Sequence, residues 1–169
     1  EWRDLVNFEG NANAVRFLTH QFHGRRKGGF ALTYTTLASI VKYPYACIPN
    51  KKKYGFFQSE KATYQTIADH LGIPQTSPGV FARHPLVYLV EAADDICYLF
   101  MDIEDAHKLG ILSTSEAQGL FLAFFDIDDE HQKQRIADVM SEVSDANEQL
   151  AFLRALVIGK LVEAVGKIF

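Results

Sequence analysis

Three side chains that could do chemistry recur at four-residue intervals in one stretch of the sequence. Asp94, Tyr98 and Asp102 are spaced i, i+4 and i+8, which in an α-helix stacks them turn upon turn on one face. At a rise of about 1.5 Å per residue they cover about 12 Å of helix. The first carboxylate suits a metal ion, and the phenol ring with the second carboxylate suits a sugar that carries hydroxyl groups. The alternative is an ordinary solvated acidic face, an interpretation that also fits the neighbouring Asp95 and Glu104.

The surrounding stretch is typical of one long buried helix over residues 83–106. Pro85 suits a first turn, where its missing N–H costs nothing, and Gly110 suits the stop at the other end. Apolar side chains, Cys97 among them, cover most of the circumference between these ends, which predicts burial on nearly all sides. Carboxylates buried in such a helix need a metal, basic side chains or water to compensate them. The apolar surroundings therefore favour a site over a solvated face.

Two lysines stand beside aromatic residues in segments that can carry function. Lys42 and Tyr43 come where Pro44 closes a predicted helix, a position in which a lysine also suits the last helical carbonyls. Lys53 precedes a Tyr-Gly-Phe-Phe block in a long loop over residues 45–59, the type of segment that often carries function.

Polar groups near the start of the chain are less specific. Asn11 interrupts the apolar pattern of the first predicted helix, which on spacing alone predicts a solvent-facing side chain. The basic loop at residues 24–29 has three cations in a row without interleaved aromatics. That composition is a weak signal for nucleic-acid binding and equally fits an ordinary mobile connection.

The whole pattern predicts an all-α fold, a helical bundle. Helical periodicity predicts helices over residues 4–23, 31–42, 59–71, 83–106, from Ser113 or Thr114 through Phe125, 130–143 and 145–168. Glu116 completes the start signal of the fifth of these helices. An acidic run at residues 126–130 predicts a helix start or a loop, and no strand pair with a hairpin signal is evident.

Length and composition predict one domain over residues 1–169. The chain is 48% hydrophobic with a net charge of −4, which argues against a whole-surface nucleic-acid binder. Its two cysteines form no motif, so we expect a reducing, cytoplasmic setting. No signal peptide or membrane-spanning run is evident. Because the sequence opens at Glu1 and ends at Phe169 within an apolar helical pattern, we expect an internal fragment of a longer chain.

Four blocks of the sequence carry a resemblance to a known family. The longest is HPLVYLVEAADDICY at residues 84–98, which is followed by DIEDA at 102–106. The others are NFEGNA at 7–12, LTYTTLASIVKYP at 32–44 and KYGFFQSE at 53–60. In type and order they resemble the deoxyguanosine triphosphate triphosphohydrolases (dGTPases), bacterial dNTP triphosphohydrolases of the HD-domain superfamily. Residues 153–161 are similar to a later helix of that family.

The resemblance implies hydrolysis of dGTP, or of dNTPs generally, to the deoxynucleoside and tripolyphosphate. Such sites hold a divalent metal (Mg, Mn or another transition metal) between two His and two Asp, and the metal activates water against the α-phosphate. One of these ligands maps onto this chain, at Asp94. Because the sequence contains no His-Asp dipeptide, the resemblance places the His…His-Asp motif and a catalytic His before Glu1. We therefore expect the fragment alone to be inactive.

The resemblance also assigns substrate contacts. It implies that three residues face the nucleotide and its phosphates: Lys42, Tyr43 and Lys53. It implies that Tyr98 packs on the deoxyribose and that Asp102 accepts a hydrogen bond from the 3′-hydroxyl. A ring against the 2′ carbon would leave little room for a ribose hydroxyl.

Further expectations concern partners and alternatives. The resemblance places Asn11 in the pocket lining, and it implies a homo-oligomer and binding of single-stranded DNA as a regulator. A different class of protein also fits the residues: a non-catalytic helical module that binds nucleotides or single-stranded DNA through loops 24–29 and 50–54. A third possibility is a structural helical domain whose acidic stripe binds a basic partner.

Overall fold

The fold is mainly helical, as predicted. The computed structural model describes residues 2–24, 29–48, 51–125 and 129–169. Within these residues the helices are α1 (Trp2–Val6), α2 (Gly10–Thr19), α3 (Tyr34–Ser39), α4 (Lys61–Leu71), α5 (Leu86–Lys108), α6 (Thr114–Leu122), α7 (Glu130–Glu142) and α8 (Ala146–Ile168). A 3₁₀ turn at Gln58–Glu60 leads into α4. No helix in these ranges combines the length and apolar content needed to cross a bilayer.

A short antiparallel hairpin corrects the expectation that the chain has no strand pair. It consists of β1 (Gln75–Ser77) and β2 (Val80–Phe81), with Gln75 opposite Phe81. Gly79 has φ 74°, the left-handed conformation that the third residue of a type II turn requires. Strands this short contain too few residues to show the alternation that identifies a strand in a sequence.

The structure has two compact units, Glu1–Glu91 and Ala92–Phe169. One domain over residues 1–169 stays a prediction. Each unit buries its own apolar cluster. The larger members of the first cluster are Val15, Leu37, Val41, Phe56, Tyr64, Ile67 and Phe81. Those of the second are Phe100, Phe121, Ile136, Leu150, Leu153 and Val157. Since α5 begins in the first unit and continues in the second, its sequence pattern alone does not reveal the division.

The first two predicted helices are shorter than their patterns suggest. The helix predicted over residues 4–23 is divided into α1 and α2, because Glu9 adopts an extended conformation and caps α2 by accepting a hydrogen bond from the Asn11 backbone N–H at 3.2 Å. The helix predicted over residues 31–42 begins after Thr33, whose hydroxyl accepts from a backbone N–H of the first turn. In both places a capping side chain sets the boundary.

The predicted extent of α5 is confirmed within two or three residues, but its predicted burial is wrong. Gly110 follows the helix with φ 70°. Cys97 is exposed, and the Tyr98 side chain is 65% exposed. In the second unit the helix packs along one stripe only, where Phe100 is fully buried and stacks 5.7 Å from the Phe121 ring.

The start of α6 follows its sequence signal. Ser113 and Glu116 form a capping box, each side chain accepting from the other residue's backbone N–H. Of the acidic run at residues 126–130, only the last two positions are described, and Asp129 there caps α7 by accepting from the Gln132 backbone N–H at 3.0 Å. Residues 25–28 of the basic loop and residues 49–50 lie outside the described residues.

Candidate functional site

Lys42 lies in a charged cluster of the first unit, together with Arg83 and Glu91. Its ammonium is 2.8 Å from Glu91 Oε1. Arg83 Nη1 is 2.9 Å from Glu91 Oε2, and Arg83 Nε donates to the Lys42 carbonyl at 2.9 Å. One carboxylate thus joins a lysine and an arginine that lie 41 positions apart in the sequence.

Electrostatics in this cluster favour the charged form of Glu91. The hydrogen bond from Lys42 lowers the pKa of the Glu91 carboxyl; partial burial opposes this, and the charge of Arg83 adds to the lowering. The Arg83 guanidinium also lies 5.5 Å from the centre of the Tyr88 ring. Tyr43, next to Lys42, is partly buried and has its ring 6.4 Å from that of Tyr45.

Lys53 and Asn11 meet at a second glutamate. Glu9 is 5% exposed, and its Oε1 accepts from Asn11 Nδ2 at 2.6 Å as well as from the Asn11 backbone. Its other oxygen, Oε2, is 3.2 Å from Lys53 Nζ. Burial opposes ionisation of Glu9, but the hydrogen bonds from Asn11 and Lys53 outweigh it and hold the pKa of Glu9 below its usual 4.5.

The loop that carries Lys53 is fixed to the start of the chain by its neighbour Tyr54. The Tyr54 side chain is fully buried, and its hydroxyl donates to the Asn7 carbonyl at 2.7 Å. Burial, with the nearby Asp4 charge adding, raises the pKa of Tyr54 to about 12. The phenol therefore stays protonated as a donor over the physiological range, and it places Lys53 beside Glu9.

The same loop packs against the segment that carries Lys42 and Tyr43. Gly55 donates its N–H to the Tyr45 carbonyl at 3.0 Å. A Cβ at Gly55 would overlap the Tyr43 carbonyl oxygen and lie 2.6 Å from Val41 Cγ1. Only glycine fits this approach, so Gly55 is the residue that brings the two lysine-bearing segments into contact.

Asp94, Tyr98 and Asp102 lie in the second unit, on α5. All three are exposed, and Asp94 has neither an ion pair nor a side-chain hydrogen bond with any described residue. The roles implied for them stay predictions. Among residues 2–24, 29–48, 51–125 and 129–169, no group of three His, Cys, Asp or Glu side chains is arranged to hold a metal ion.

A cleft of about 480 Å³ lies in the first unit near α1 and α2. Its lining includes Asp4, Phe8, Arg16, Phe57 and Ser59, and none of the residues predicted to contact substrate.

The structure adds Glu9 and Arg83, which the sequence did not indicate, and it gives two basic partners to Glu91, one of the carboxylates within the predicted long helix. All three lie within or beside the blocks that carry the resemblance, but an acid near a helix start and an acid within a helix have many ordinary explanations. The available signal was that a carboxylate within an apolar pattern needs a basic partner.

No protein-family model matches the chain, but several curated proteins do. A "deoxyguanosinetriphosphate triphosphohydrolase-like protein" of Pseudomonas aeruginosa is 38% identical over 177 aligned positions, which cover 100% of this chain and 39% of that protein. A protein of the same name from Synechocystis is 36% identical with the same coverage. The "deoxyguanosinetriphosphate triphosphohydrolase" of Yersinia enterocolitica is 34% identical over 68% of this chain and 22% of its own length.

The chain thus spans about two fifths of the length of the first two relatives. The matches to these relatives extend over its full length, so they include the segments of Lys42, Lys53 and the Asp94 stripe alike. The chain belongs to the deoxyguanosinetriphosphate triphosphohydrolase-like family.

Proposed function

We propose that the protein containing this chain hydrolyses dGTP, or dNTPs generally, to the deoxynucleoside and tripolyphosphate. The names of the relatives support this reaction class. The structural observation that carries the proposal is the contact at Gly55, which joins the Lys53 loop to the Lys42 segment. Two lysines in adjoining segments suit a ligand with several negative charges.

Lys42 and Lys53 are the proposed phosphate-binding residues. Lys42 and Arg83 carry two positive charges against the one negative charge of Glu91, so these three side chains retain a net positive charge. The Lys53 side chain is 59% exposed and is accessible to a phosphate from solvent. A triphosphate would form charge-assisted hydrogen bonds with these groups.

On the resemblance to the family, Tyr98 and Asp102 of α5 are the proposed sugar-binding residues. The exposed ring of Tyr98 offers a flat apolar surface on which a deoxyribose can pack. Asp102, one turn further along the same face, would accept a hydrogen bond from the 3′-hydroxyl. A ring close to the 2′ carbon would disfavour ribonucleotides, both by sterics and by leaving their 2′-hydroxyl unpaired.

The described residues do not by themselves fit a divalent metal ion, since one exposed carboxylate at Asp94 supplies one ligand. The proposal therefore includes a metal ion only because the resemblance to the family implies one. The resemblance assigns the other ligands to a His…His-Asp motif that this sequence does not contain. When bound, such an ion would polarise a phosphate oxygen and activate water. Cytoplasmic location, homo-oligomeric assembly and regulation by single-stranded DNA likewise stay predictions.

The proposal is tested by substituting Asp94 in the full-length protein. We expect Asp94→Ala to lower kcat/KM for dGTP by about 100-fold or more. The matched control is Asp95→Ala, which removes an exposed carboxylate from the adjacent position and should leave kcat/KM within about twofold of the wild type. Equal activity of both variants and the wild type would remove Asp94 from the mechanism.

A second measurement separates the enzyme from a binding module. If the wild type turns over no dNTP yet binds single-stranded DNA with a steep dependence on salt concentration, the non-catalytic alternative is correct. Lys51 and Lys52 are exposed in the loop that this alternative uses, and Lys51 lies 4.4 Å from the centre of the Tyr45 ring.

A further inference from the structure

Each lysine of the candidate site is held by its own glutamate, and the two glutamates come from different elements. Lys42 contacts Glu91 of α5 at 2.8 Å, and Lys53 contacts Glu9 at the start of α2 at 3.2 Å. Building on the proposed function, we propose that Glu91 and Glu9 are positioning residues that set the ammonium groups of Lys42 and Lys53 for the phosphates of the substrate.

Lys42 is held at both ends of the residue. Arg83 Nε binds its carbonyl oxygen at 2.9 Å, and Glu91 binds its ammonium. Because Arg83 also binds the second oxygen of Glu91, the carboxylate itself is fixed on two sides. A lysine side chain has four carbon–carbon torsions to order, so fixing the ammonium beforehand reduces the entropy lost when a phosphate binds.

Lys53 is held by a carboxylate with little freedom of its own. Glu9 is 5% exposed and uses Oε1 for the backbone and side chain of Asn11. This leaves Oε2 to face Lys53. An ammonium group has three donors, so one bond to Glu9 still leaves Lys53 able to bind a phosphate. The geometry gives Asn11 a specific task, which is to orient Glu9.

Glu91 does not neutralise the group that it organises, because its one negative charge faces the two positive charges of Lys42 and Arg83. Glu9 balances the single charge of Lys53. A carboxylate that only competed with phosphate for a lysine would weaken substrate binding, and its removal would then lower KM. A positioning carboxylate has the opposite effect, since its removal frees the lysine and raises KM.

The test is a pair of double-mutant cycles on dGTP hydrolysis by the full-length protein. The first cycle combines Glu91→Gln with Lys42→Ala, and the second combines Glu9→Gln with Lys53→Ala. We expect each single substitution to raise KM for dGTP by about tenfold, with a smaller effect on kcat. Because each glutamate acts through its lysine, each double variant should be no worse than its lysine variant alone.

Controls separate positioning from folding. Glu60→Gln removes another buried carboxylate of the same unit, one that pairs with Arg16 at 3.0 Å, and should leave KM unchanged. Thermal unfolding of every variant defines a temperature at which all are folded, and kinetics are compared there. Glutamine keeps an oxygen that can accept from Asn11 or Arg83, so the elements that bear the glutamates keep their local bonds.

The outcomes are distinct. Additive effects in a cycle, or a fall in KM in a glutamine variant, would overturn the assignment for that glutamate. A wild type that hydrolyses no dNTP would overturn the proposed function, and the inference with it. A wild type that is active, with non-additive cycles and an unchanged Glu60→Gln control, is the expected result.

Discussion

Gly55 lies against the carbonyl of Tyr43, closely enough that no other residue type fits there. Tyr43 follows Lys42, and Gly55 comes two residues after Lys53. The contact therefore links the stability of the fold to the placement of the two lysines, and a change at Gly55 should affect both.

We expect Gly55→Ala to lower the free energy of unfolding by about 2 kcal/mol, because the added methyl must displace backbone at Tyr43 and a methyl group of Val41. Urea unfolding of the full-length protein measures the loss. The control is Gly159→Ala, at an exposed position of α8 with open space around it. That change should raise stability by about 0.5–1 kcal/mol. Equal effects at the two glycines would contradict the close contact.

The buried Glu9 makes stability depend on pH in a specified direction. Its pKa in the folded protein is lowered from the usual 4.5, so its contribution is fully present above that value and is lost as pH falls through the lowered one. We expect the stability difference between wild type and Glu9→Gln to be largest near neutral pH and to shrink in acid. Urea unfolding of both proteins from pH 7 to pH 3 measures it. A difference that stays constant over this range would show that the charge of Glu9 does not stabilise the fold.

The capping box at the start of α6 makes a local prediction. Ser113→Ala removes the side-chain acceptor of the Glu116 N–H and should cost about 1 kcal/mol. Hydrogen exchange should accelerate in the first turn of α6. Ser113→Thr keeps the hydroxyl and serves as the control, with a cost of a few tenths of a kcal/mol. Unchanged exchange in the alanine variant would mean that the box does not hold this turn.

The exposed Tyr98 ring predicts the sugar preference of the proposed enzyme. If the ring packs on the deoxyribose, Tyr98→Ala should lower the ratio of kcat/KM for dGTP over GTP by about tenfold or more. Tyr98→Phe keeps the ring and should keep the ratio. Competition between the two nucleotides in one reaction gives the ratio directly. An unaltered preference in the alanine variant would place the sugar elsewhere.

The sequence predicts those features of the structure whose signals lie within a few residues of each other along the chain. Ser113 with Glu116, and Gly110 after α5, are local signals, and both are confirmed. The exposure of Cys97 was not predictable from apolar content, because burial depends on how many neighbours cover a helix. The hairpin was missed because its strands are too short to show a pattern.

The candidate site was only partly predictable for the same reason. Lys42, Lys53 and Asn11 came from blocks that resemble a family, whereas their partners required tertiary contacts. Arg83 and Glu91 contact Lys42 from 41 and 49 positions away in the sequence, a separation that no local pattern encodes. In the sequence, Glu9 is only an acidic residue near a helix start, and nothing local indicates its contact with Lys53.

The most direct test is to identify the products formed from dGTP by the full-length protein with a divalent metal present. Phosphorus NMR distinguishes tripolyphosphate from pyrophosphate and orthophosphate, and chromatography identifies the nucleoside. We expect tripolyphosphate and deoxyguanosine in equal amounts from the first turnovers. Release of orthophosphate with dGDP, release of pyrophosphate with dGMP, or no turnover at all would contradict the proposed reaction.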